Sequence, residues 1–71
     1  MSDIYYDMGC TIRRMREEQG MSKRKLAMLA ECSEKSIRSW EQGKCLPDAY
    51  YLMKLADAFG CSIDALFCRE R

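Results

Sequence analysis

Apolar residues in this chain recur every three or four positions, and no stretch alternates apolar and polar residues as a strand would. Met8, Ile12 and Met15 mark a first helix from about Asp7, with Arg13, Arg14, Glu17 and Glu18 between them. Gly20 stops it, because glycine enters the left-handed conformation of a helix end at little cost. Residues 1–6 read as a short N-terminal arm in which Ile4, Tyr5 and Tyr6 have apolar surface to pack on the body.

Ser22 is placed to cap a second helix, with Leu26, Ala27, Leu29 and Ala30 on one side and Arg24, Lys25 and Met28 on the other. Glu31, Cys32 and Ser33 break that pattern, and Ser33 caps a third helix over residues 34–42. Ile37 and Trp40 point inward there, and Glu34, Lys35, Arg38, Ser39 and Gln42 point outward, before Gly43 ends the helix. Lys44 to Pro47 is a linker, since proline discourages helix in the residue before it. Asp48 then caps a helix striped with Leu52, Leu55, Ala56 and Phe59, which Gly60 closes. Ser62 caps a short last helix containing Ile63, Leu66 and Phe67. The expected fold class is all-α, a compact five-helix bundle forming a single domain over residues 7–69.

The distinctive stretch is Ser22 to Gly43, two short amphipathic helices joined by a three-residue turn. Ala27 is small where a second helix would cross closely, and Leu26, Ile37 and Trp40 sit where both helices share a core. A helix that hides a tryptophan and displays lysine, arginine, serine and glutamine is built to present side chains to a partner. The DNA major groove is the partner that suits it.

Charge modifies this picture. The net charge of the 71 residues is only +1, so no strongly basic surface is implied by the total. Distribution matters more. Lys23, Arg24, Lys25, Lys35, Arg38 and Lys44 concentrate in the middle, while Asp3, Asp7, Glu17, Glu18, Asp48, Asp57 and Asp64 load the flanks.

Other chemistry finds little support. With no histidine, neither a Ser-His nor a Cys-His nucleophile can be built, and no phosphate-cradling glycine loop stands out. The chain reads as a non-enzyme with no cofactor, no metal and no small-molecule ligand. Cys10, Cys32, Cys45, Cys61 and Cys68 form an odd set with irregular spacing, unlike a disulfide framework or a zinc site. Reduced thiols used as small apolar residues imply a cytoplasmic home. No apolar run is long enough to span a membrane and no signal-like start is present, so no membrane partner is expected.

The segment SKRKLAMLAECSEKSIRSWEQGKCLPD resembles the Cro-like and phage-repressor-like helix-turn-helix family, also called the XRE family. Gly9, Ile12, Arg13, Met15, Arg16 and Gly20 before it fit the same pattern, as do Leu52, Leu55, Ala56, Gly60, Ser62, Asp64 and Leu66 after it. The resemblance covers nearly all of residues 8–67 and implies the lambda-repressor-like DNA-binding fold. It also implies a transcription regulator, a repressor in most such cases, that reads double-stranded DNA with the third helix.

Carried over by position, base edges would be read by Glu34, Lys35 and Ser39, with Arg38 on the same face. The DNA backbone would be held by Lys23, Gln42, Gly43 and Lys44. The family often pairs the positions of Arg16 and Glu41 in a partly buried ion pair; the bland alternative is two solvated charges. Its C-terminal end often makes a two-fold contact, which would fall on Leu66, Phe67 and Cys68, although these residues could simply close the core. A homodimer on a pseudo-palindromic site would follow, with recognition helices about 34 Å apart.

Several positions depart from the family pattern. Lys23 replaces a usual glutamine, and Ala30, Cys32 and Cys61 stand in for larger aliphatic residues. Glu31 occupies a turn position where glycine is common, so either its backbone is strained or the turn differs in detail. Tyr50 and Tyr51 lie off the apolar stripe of the fourth helix and offer either a partner surface or stems packed along the domain. The low net charge, Glu34 and these tyrosines favour the alternative function, a protein-interaction module such as an antitoxin or assembly subunit.

Overall fold

A computed structural model describes residues 3–67, and its helices begin where a side-chain oxygen accepts an orphan amide. Asp3 accepts from the amides of Tyr5 and Tyr6 and opens α1 (Ile4–Glu18). That helix starts at Ile4 rather than the expected Asp7, so residues 4–6 form its first turn and not an arm. The apolar stripe does not reveal this turn because Ile4, Tyr5 and Tyr6 are exposed on it. Ser22 caps α2 (Lys23–Ala30), Ser33 caps α3 (Glu34–Glu41) and Asp48 caps α4 (Ala49–Phe59). Ser62 precedes α5 (Ile63–Leu66) but makes no side-chain capping bond, contrary to expectation.

α1 to α4 end in one pattern, in which two successive amides turn back onto carbonyls of the last helical turn through a left-handed residue. Gly20, Gly43 and Gly60 supply that residue for α1, α3 and α4. α2 ends instead on Glu31, at φ 57°, with Cys32 donating to the Ala27 carbonyl at 2.9 Å. A side chain in this region costs about 1–3 kcal/mol, so the turn of the helix pair is strained rather than differently built. Glu31 also accepts from Lys54 Nζ at 2.6 Å, which ties the turn to α4. The ammonium holds the Glu31 carboxyl below its ordinary pKa, and the carboxylate raises that of Lys54. Sign follows from direction: the pair supports the fold near neutrality and loses that support as falling pH protonates Glu31. Glu31 is exposed and Lys54 half-buried, so salt weakens the effect.

The core gathers Met8, Ile12, Leu26, Ala27, Ala30, Ile37, Trp40, Leu55, Ala56, Phe59 and Leu66. Full burial of each large member stabilises the fold by about 1.5–3 kcal/mol relative to exposure. α1 packs on α3 and α5, α2 on α3 and α4, and α4 on α5. Trp40 meets Tyr51 at 5.5 Å between ring centroids, which leaves Tyr50 as the exposed member of the tyrosine pair. Leu29 does not join the core and is 43% exposed. At about 100° per residue, Leu26, Ala27 and Ala30 share one arc and Leu29 falls about 60° outside it. Cys32 and Cys61 pack against the core, where burial pushes both thiols up in pKa. Cys10 and Cys45 are free and exposed, so the expectation that thiols serve as core residues holds only for the other two described here.

Two features of α1 fix α3. Gly9 lies against the end of α3 so closely that a Cβ there would meet the Trp40 carbonyl at 2.5 Å and that of Glu41 at 2.8 Å. One and two turns further on, Arg13 and Arg16 converge on Glu41. Arg16 donates from Nε to Glu41 Oε2 at 2.7 Å and from Nη2 to Oε1 at 3.1 Å, and Arg13 Nε stands 3.5 Å from Oε1. Arg16 Nη1 also donates to the Met21 carbonyl at 2.8 Å, joining the α1–α2 loop to the same cluster. The Glu41 side chain is fully enclosed and that of Arg16 nearly so, and the Glu41 hydrogen bond raises the Arg16 pKa still further.

Removing one partner from such a buried pair leaves an uncompensated charge. Arg16→Ala should therefore destabilise the protein by about 3 kcal/mol, whereas the joint change Arg16→Met with Glu41→Leu should regain much of that loss. Urea unfolding of the three proteins checks this, and equal losses for the single and double variants would contradict it. Backbone strain at Glu31 has its own test. Glu31→Gly and Glu31→Ala both remove the carboxylate, yet the glycine variant should be more stable by about 1 kcal/mol, because only alanine keeps a Cβ in the left-handed region.

Candidate nucleic-acid interface

The buried side of α3 is set by Ile37, Trp40 and Glu41, which leaves an outward arc of Glu34, Arg38, Gln42, Lys35 and Ser39. Glu34, Lys35, Arg38 and Gln42 are exposed and Ser39 is half-buried. By helical angle the arc divides into two stripes: Glu34 with Arg38 on the Glu41 side, and Lys35 with Ser39 on the Ser36 side. Ser33 and Ser36 lock the first turn, their hydroxyl oxygens 3.0 Å apart.

The candidates for backbone contact differ in what they offer. Lys44 carries an exposed ammonium, Gln42 an exposed carboxamide, and Lys23 a half-buried stem at the start of α2. Gly43 has no side chain, and its amide is already given to the Trp40 carbonyl at 3.1 Å. The Lys44 amide is likewise given to the Ser39 carbonyl at 3.0 Å. Helix closure engages both amides. The side chains of Gln42 and Lys44 remain available.

Ion pairing sorts the cations of the domain into two sets. Arg13 and Arg16 face Glu41, Arg14 faces Glu18, Arg38 faces Glu34, and Lys54 faces Glu31. Lys23, Arg24, Lys25, Lys35 and Lys44 have no carboxylate within 4.0 Å among the described residues. All five belong to α2, to α3 or, for Lys44, to the second residue after the α3 cap Gln42. A near-neutral total thus coexists with positive charge that is locally unneutralised around the helix pair.

At the far end of the domain the dimer candidates separate. Leu66 is 1% exposed and closes the core, so it has no surface for a second copy. Phe67 is 37% exposed, and Cys68 lies outside the described residues. Sequence reasoning did not single out Arg13 as a neighbour of Glu41, nor assign Gly9 its contact with α3. The signals were present: Arg13 precedes Arg16 by less than one turn, and a glycine inside a helical pattern marks close approach. No group of three or more metal-ligating side chains comes together among the described residues, and no helix there is long and apolar enough to cross a membrane.

The helix-turn-helix family model HTH_3 matches residues 12–66. Among solved structures, the restriction-modification controller protein C.AhdI from Aeromonas hydrophila is similar with a TM-score of 0.86 at 25% identity, over 89% of this chain and 96% of that one. The P22 c2 repressor, solved in complex with a synthetic operator, is 30% identical with a TM-score of 0.79, over 83% of this chain and 89% of that one. The clp gene regulator ClgR from C. glutamicum, at 22% identity and a TM-score of 0.82 over 90% of this chain and 83% of that one, shares the fold. No curated protein sequence matches significantly. The family match runs from the middle of α1 to the end of α5 and takes in the capped pair α2–α3. This chain belongs to the XRE-type helix-turn-helix family.

Proposed function

We propose that this protein is a sequence-specific DNA-binding transcription regulator, a repressor, that reads the major groove with α3. The observation that carries the reading is the ion-pair inventory: the cations left without partners among the described residues are Lys23, Arg24 and Lys25 of α2, Lys35 of α3, and Lys44. Phosphate contacts by Lys23 and Lys44 supply the salt-dependent affinity, and Lys35, Ser39, Arg38 and Glu34 supply base readout. The P22 c2 repressor bound to its synthetic operator supports the DNA-bound reading. The protein acts in the cytoplasm as a homodimer on a pseudo-palindromic site, with Phe67 the remaining candidate at the two-fold contact.

In this reading the Arg16–Glu41 pair is a positioning device that sets the angle of α3. Restoring stability with Arg16→Met and Glu41→Leu together then does not restore affinity, because the packing that replaces the hydrogen bonds has no fixed direction. A second reading has one observation in its favour. Tyr50 and Met53 of α4 are each 54% exposed, an apolar surface fit for a protein-interaction module.

Selection of the purified protein on random duplexes separates the two, since a regulator enriches a half-site motif and an interaction module does not. On the enriched duplex, Lys44→Ala should weaken all sequences alike and lower the salt slope by about one. Lys35→Ala should also relax the preference at one position, by about 1–3 kcal/mol of lost discrimination. Uniform losses for both variants would remove Lys35 from base readout.

A further inference from the structure

We propose that Glu34 and Arg38 act as one reading unit, selecting a guanine and a cytosine in adjacent base pairs. The inference rests on the DNA-binding reading above and specifies its target. Arg38 Nη2 stands 3.7 Å from Glu34 Oε2, one helical turn apart on the exposed arc of α3, with each side chain about half exposed. This distance is an ion pair too long for a hydrogen bond. No hydrogen bond involves either side chain among the described residues, so the donors of Arg38 and the acceptors of Glu34 remain free.

A carboxylate at the tip of a DNA-facing helix repels phosphate and needs a compensating donor. In the major groove only the amino groups of cytosine and adenine can supply one. Adenine sets an acceptor, N7, beside its amino group, which a carboxylate meets unfavourably, whereas cytosine carries only C5–H beside its amino group on its own ring. Glu34 therefore selects cytosine. Arg38 has donors only, and guanine is the base that offers two acceptors side by side. The nearest atoms of the two head groups are 3.7 Å apart, close to the rise of about 3.4 Å per base pair, so they address two successive pairs. Glu34 also restrains Arg38 sideways, which keeps the guanidinium over the groove instead of on a phosphate. Lys35 has no carboxylate within 4.0 Å among the described residues and lacks this restraint.

The test is selection on random duplexes with the full chain, its Glu34→Gln variant and its Arg38→Ala variant, each shown to be folded by circular dichroism. The native protein should enrich a guanine and a cytosine at two adjacent positions, and replacing that element by A·T should weaken binding about ten-fold or more. Glu34→Gln should convert the cytosine preference to adenine, because a carboxamide pairs with adenine N6 and N7. Arg38→Ala should flatten the guanine preference, and both variants should leave the remaining positions unchanged. If Glu34→Gln tightens binding to all duplexes and keeps the native motif, Glu34 acts only by repulsion and the pair is not a reading unit. If the native protein enriches no motif, the DNA-binding reading itself fails.

Discussion

The buried pairing of Arg16 with Glu41 is the constraint on which the rest of the structure depends. It takes a charge from the last turn of α1 and one from the last turn of α3, removes both from water, and satisfies them with two direct hydrogen bonds. Its third bond, to the Met21 carbonyl, brings the approach to α2 into the same cluster. Apolar packing of Ile37 and Trp40 would hold α3 against the body at many angles, since dispersion and water exclusion are nearly non-directional. The guanidinium fork accepts only one arrangement, and Gly9 lets the backbones approach closely enough to reach it.

Economy of charge follows from that arrangement. The acidic residues neutralise cations on α1 and α4, and the α2–α3 surface keeps its own largely unpaired among the described residues. A domain with a net charge of +1 can thus present a local positive face. Arg38, tied to Glu34, is the exception, and it is where base identity rather than phosphate attraction would be decided.

Much of the fold was legible because it is written in local hydrogen bonding. Ser22, Ser33 and Asp48 cap helices as their sequence positions suggest, and Gly20, Gly43 and Gly60 end them. Elements that depend on tertiary context were harder to read. Asp3 opens α1 ahead of an exposed apolar turn that no periodicity marks, and Leu29 falls just outside the buried arc of α2. Glu31 left two options open, and only the backbone angle of 57° chooses between them. In the candidate site, the outward arc of α3 follows from its two inward residues. The spending of the Gly43 and Lys44 amides on helix closure, and the approach of Arg38 to Glu34, depend on coordinates that spacing does not contain.

The central claim is that a clamped α3 delivers its outward arc to DNA. Amide NMR titration of the full chain with a duplex carrying its selected half-site tests it most directly. The account predicts that the largest shifts fall on Lys23, Glu34, Lys35, Arg38, Ser39 and Lys44, while Tyr50 and Met53 of α4 stay in place. Shifts centred on α4, with the amides of α3 unmoved, would contradict it.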